Sequence, residues 1–81
     1  MNPPNAILHE LLNLAEIMLT NGAEVSRVEE TLNRMGHAYG ATQMNVFAIT
    51  SSIVVTMVFE EGEEYTQTRR ITPLSVQISL N

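Results

Sequence analysis

The sequence predicts an α+β fold: an N-terminal helical hairpin packed on one face of a small antiparallel sheet of three or four strands, in the order ααβββ(β). Three observations carry the prediction. Apolar residues recur at helical spacing through the first half of the chain. The period falls to two after Gly40, where β-branched residues take over. Turn-forming residues fall at the joints: Asn21-Gly22, Gly40, Thr50-Ser51 and the Glu60–Glu64 run around Gly62. At 81 residues the chain has room for one domain, taken as residues 1–81.

Each element follows from its residues. Asn2-Pro3-Pro4-Asn5 reads as a helix start, with an Asn as the cap and Pro in the first turn. Ile7, Leu8, Leu11, Leu12, Leu14, Ala15, Met18 and Leu19 then form one wide apolar stripe. Ile17 falls off it, among His9, Glu10 and Asn13 on the polar side. Asn21-Gly22 ends the helix through a left-handed glycine. Ser26-x-x-Glu29 reads as a capping box that starts a second helix at Ser26. Val28, Leu32, Met35 and Tyr39 make its buried stripe, and Gly40 ends it.

Residues 42–49 and 52–60 read as two strands joined by a tight Thr50-Ser51 turn. The second strand is apolar on both faces. Ile53, Val55, Met57 and Phe59 point one way, Val54 and Val58 the other, as in a central strand. Residues 60–64 form a hairpin loop, and residues 65–71 a more polar edge strand. After Pro73, residues 74–80 alternate cleanly and read as a fourth strand or an extended tail. Two helices cover one sheet face, which leaves Val54 and Val58 without a cover. Either a homodimer or a later part of the chain is expected to pack there.

Composition excludes several classes. Every charge is Arg or Glu, and the net charge is −5. An acidic chain with four basic residues lacks the electrostatic footprint of a nucleic-acid binder. With no Cys there is no disulfide, thiolate metal site or cysteine nucleophile. The apolar run 46–59 is broken by Thr50, Ser51, Ser52 and Thr56 and is too short to span a bilayer. The N-terminus has no basic region of the signal-peptide kind.

The motifs are modest. His9-Glu10 opens like a zinc-protease motif, but the second His one turn on is missing, so no metal is expected. The Glu60–Glu64 run lacks the spaced oxygen ligands of a calcium loop and reads as a solvated turn. Glu30 and Arg34 stand in the favourable i, i+4 order, an ordinary surface pair. Arg27, at a helix start, has a second reading as the holder of an anionic group. Thr50, Ser51 and Ser52 offer hydroxyls at a turn, yet neither His9 nor His37 is linked to them as a base. No catalytic residue and no cofactor is expected.

Residues 11–40, with their Gly22-Ala23-Glu24 and Arg27-Val28-Glu29-x-Thr31 cluster, then "VFAITSSIVVTM" and "TRRI", resemble the N-terminal soluble domain of the threonine/serine exporter family, over residues 8–72 in all. Gly22, Ala23, Ser26 and Val28 belong to the most specific part of that resemblance. The resemblance implies a bacterial inner-membrane transporter that exports threonine and serine, or dicarboxylates in some relatives. It leads us to expect an excised N-terminal piece of a longer transporter, itself soluble and on the cytoplasmic side. The expected partner is the transmembrane part of the same or a partner chain.

For the domain itself the expectation is a regulatory, substrate-sensing or assembly role. Glu24 and Arg27, with Glu29, Thr50 and Ser51, are the candidate ligand-binding residues, for a small amino acid or dicarboxylate. The alternatives are a free-standing dimeric interaction module and a small hydrolase-like domain.

Overall fold

The computed structural model describes residues 3–49 and 51–71. Two helices, α1 (Pro4–Thr20) and α2 (Val25–Ala38), precede three strands, β1 (Gln43–Ile49), β2 (Ser52–Val58) and β3 (Glu64–Arg70). The strands form one antiparallel sheet in the order β1-β2-β3, and both helices pack on it. This is the expected α+β arrangement. The proposed fourth strand at 74–80, like Thr50, lies outside the described residues.

The core is one layer between the helices and the sheet. Ile7, Leu8, Leu11, Leu12 and Ala15 of α1 meet Val28 and Leu32 of α2 over Ile53, Val55 and Met57 of β2. Leu14, Met18 and Leu19 pack partly against its margin, so the whole predicted stripe of α1 faces inward. Ile17 stands outside, 60% exposed. Burying side chains of this kind contributes about 1.5–3 kcal/mol each.

Both helices end in the same way. The amides of Gly22 and Ala23 donate to Leu19 and Met18 O at 3.1 and 3.0 Å, and those of Gly40 and Ala41 to His37 and Gly36 O at 3.0 and 3.1 Å. These paired bonds need a left-handed residue after the cap, and Gly22 and Gly40 supply it at φ 91° and 106°.

The helix starts differ from the expectation. Pro3 holds the cap position of α1, with no side-chain capping bond, and Pro4 is the first helical residue. The missing proline amide is one of the groups that a helix start leaves unpaired anyway. The capping box at Ser26 does not form. Only Ala23 and Glu24 separate the Gly22 turn from α2, so the chain re-enters helix at Val25. Glu24 takes the extended cap conformation (φ −71°, ψ 146°), and Ser26 and Glu29 lie inside the helix. Tyr39 was expected in the buried stripe. It is instead the C-cap of α2, past the last turn that faces the core, and is 48% exposed.

The strand boundaries shift slightly. Thr42 precedes β1, Phe59 follows β2, and Glu64 already pairs with Val58, so the loop spans residues 59–63. Ile49 pairs with Ser52, as a two-residue connection requires.

One contact locks α2 to β1. Gly36 is buried, and a Cβ placed on it would overlap the Met44 side chain. The helix therefore approaches the strand more closely there than a side chain would permit.

Candidate functional site

Strand β2 carries the sheet's asymmetry. Ile53, Val55 and Met57 are fully buried under the helices. The alternate residues face the other way, where no element of the described chain covers them. Strand pairing aligns Phe47, Val54 and Thr68 in one row of that face, Asn45, Thr56 and Thr66 in the next, and Gln43, Val58 and Glu64 in a third. Val54 and Val58 are half-buried by their neighbours, while Phe47 is 63% exposed. Thr56 and Thr66 share a hydroxyl–hydroxyl bond of 2.8 Å. The face thus carries Phe47, Val54 and Val58 among polar residues, chiefly threonines, with Glu64 at one end and Arg70 at the other. The exposed aromatic beside Val54 makes a small apolar patch on a face that is otherwise polar.

The second candidate is the tip of the helical hairpin. Gly22 makes the turn, Ala23 is half-buried and Val28 fully buried, so these hold the tip in place. Glu24, Ser26 and Arg27 are exposed and Glu29 is half-buried. The Glu24 carbonyl accepts from the amides of Arg27 and Val28 at 3.0 and 3.1 Å. Among the described residues, neither ion pair involves Glu24 or Arg27.

Ser51 is exposed in the β1–β2 turn, and its carbonyl accepts from the Ile71 amide at 2.7 Å. Glu16, late in α1, meets Arg69 of β3, two residues before Ile71. The hairpin tip and the Ser51 turn therefore lie toward the same end of the domain. Among the described residues no hydrogen bond or ion pair joins Glu24, Arg27 or Glu29 to Ser51. The Glu30–Arg34 pair forms at 3.6 Å on the exposed flank of α2.

The sequence reading missed a polar cluster on the other flank. Arg69 Nη1 donates to Asn13 Oδ1 at 3.0 Å and to Glu16 Oε1 at 2.9 Å. Its Nη2 lies 3.4 Å from His9 Nδ1. An arginine only donates, so His9 accepts there and carries its proton on Nε2. Gln67 Nε2 donates to the Asn5 carbonyl at 3.0 Å one step along the same strand. A signal was present: Asn5, His9, Asn13 and Glu16 recur at i, i+4, i+8 and i+11, one polar flank of a helix. The Arg69 side chain is only 22% exposed and ties α1 to the edge strand. His37, on α2, lies 2.8 Å from the Ala41 carbonyl through Nδ1, so Nδ1 carries the proton. Each imidazole thus has a partner away from the Ser51 turn. Among the described residues no cluster of three or more His, Cys, Asp or Glu could hold a metal ion, and no helix is long and apolar enough to cross a membrane.

Comparison with known proteins gives one family. The model for the threonine/serine exporter family, ThrE, matches residues 9–80. No curated protein and no solved structure matches the chain. The matched span takes in both helices beyond the first turn of α1, and all three strands. On a match of this extent, the chain belongs to the threonine/serine exporter family.

Proposed function

We propose that this domain is an assembly and regulatory module of a threonine/serine exporter-type transporter. It docks the open face of its sheet on the membrane-spanning part, carried by the same or a partner chain. The single observation behind the docking is Phe47, 63% exposed on edge strand β1 beside Val54 of the uncovered face. Family membership supports the choice of partner. A transporter offers the domain a large apolar structure to pack on, and the Glu64 and Arg70 ends of the face give that contact an orientation. In this reading the domain lies on the cytoplasmic side of a bacterial inner membrane.

The chain has no native cysteine, which makes the test clean. A Thr68→Cys variant, its new thiol beside Val54 on the same face, should crosslink, in membranes that hold the complete transporter, to a cysteine placed on the spanning part. A crosslink formed only between two copies of the domain would replace this reading with the dimeric-module alternative. No crosslink to either would remove it.

A second reading rests on a separate observation. Glu24 and Arg27 are both exposed and outside every ion pair among the described residues. They are free to meet the ammonium and carboxylate of an amino acid, and Glu29 and Ser51 lie toward the same end. Arg27→Ala should then leave the fold intact and reduce threonine transport by the complete protein. Unchanged transport would remove the sensing role.

A further inference from the structure

At the end of the domain opposite the Ser51 turn, a cleft of about 720 Å³ opens between the start of α1, the end of α2 and the β2–β3 loop. Three aromatic side chains line it: Tyr39 after α2, Phe59 in the loop and Tyr65 on β3. Phe59 and Tyr65 pack edge to face, centroids 6.0 Å apart and rings at 72°. Both are half-buried against the core, which fixes them, whereas Tyr39 is 48% exposed at the rim. Three carboxylates, Glu60, Glu61 and Glu63, complete the lining. No basic residue lines the cleft, and neither ion pair among the described residues involves these glutamates.

We propose that this cleft binds a small organic cation, an alkylammonium or quaternary ammonium group on a short apolar body. Two independent features select that chemistry. Aromatic faces carry negative charge density and attract a cation brought against them. Three unpaired carboxylates around a concave apolar wall focus a negative potential into it. The volume is that of a small-molecule site. The same features repel a carboxylate, so a dicarboxylate is rejected here and a zwitterionic amino acid binds more weakly than a pure cation. The ligand is therefore different in kind from the transported substrate class, and this site stands apart from the sheet face and from the hairpin tip.

The test is a titration of the 81-residue chain followed by NMR of its aromatic protons. Choline is the cationic probe, and 3,3-dimethyl-1-butanol, of the same shape without the charge, is the neutral one. Choline should shift the Tyr39, Phe59 and Tyr65 ring signals saturably, in the millimolar range. The neutral alcohol, threonine and succinate should not. The triple variant E60Q/E61Q/E63Q should weaken choline binding about tenfold, as loss of the local negative potential requires. Tyr39→Leu, at an exposed position, should weaken it severalfold with the fold unchanged. Equal binding of choline and the neutral alcohol, full binding by the triple variant, or no saturable shift of these rings would each overturn the proposal.

Discussion

The two faces of β2 both carry valine and live in opposite environments. Ile53, Val55 and Met57 are sealed under two helices, while Val54 and Val58 lie on a face that carries the exposed Phe47. The sealed face stores the stability of the domain. The open face contributes less, because its valines are only half-buried. An apolar side chain stabilises a fold only to the extent that folding removes it from water. Where it stays wet, it adds little to the fold.

That contrast can be broken most forcefully from the sealed side. Met57→Ala or Ile53→Ala should cost about 2–5 kcal/mol, enough to unfold much of so small a domain, as read by chemical denaturation. Val54→Ala, one residue away on the open face, should cost about 1 kcal/mol or less in the same measurement. Equal losses from Ile53→Ala and Val54→Ala would mean that the two faces are not distinct.

The next effect belongs to the joint between α2 and β1. An alanine at Gly36 gains about 1 kcal/mol of helix propensity but displaces Met44, and overpacking costs about 1–3 kcal/mol, so a net loss is expected. Met44→Ala should itself destabilise, yet adding Gly36→Ala to it should stabilise, because the collision is gone. A double-mutant cycle by thermal melting reads this sign change.

Smaller still is the clamp from α1 to the edge strand. Arg69→Met keeps the apolar stem and removes the bonds to Asn13 and Glu16. Because Arg69 is largely covered, the loss should be about 1–2 kcal/mol. Arg34→Met, at a 3.6 Å pair whose side chains are 78% and 71% exposed, should change stability by less than about 0.5 kcal/mol and respond to salt. At the bottom of the scale, Phe47→Ser added to Thr68→Cys should leave the melting temperature nearly unchanged while abolishing the crosslink from position 68 to the spanning part. A large fall in melting temperature would show that Phe47 is structural.

Much of the architecture was legible because it follows from local periodicity. The stripe from Ile7 to Leu19, the misfit of Ile17, the glycine stops and the two-faced β2 are each set by residues within one element. The helix starts were less legible. Ser26-x-x-Glu29 has the letters of a capping box, but the Gly22 turn, two residues upstream of the cap, fixes where helix can resume. Tyr39 kept the stripe's spacing while the helix had already ended beneath it. Of the candidate site, the sequence marked Glu24 and Arg27 as a charged pair at a helix start. It did not show that Arg69, more than fifty positions from its partners, closes onto α1.

The sequence by itself determined the order of elements, the inward faces of α1 and β2, and the absence of cysteine chemistry, because composition and period are properties of neighbouring residues. Only the tertiary structure decided what meets what. It set Gly36 against Met44, gathered His9, Asn13 and Glu16 around Arg69, and brought Tyr39, Phe59 and Tyr65 from three elements to one cleft. Those contacts depend on how helices and sheet dock. Docking is governed by the fit of whole surfaces, and no short stretch of residues encodes it.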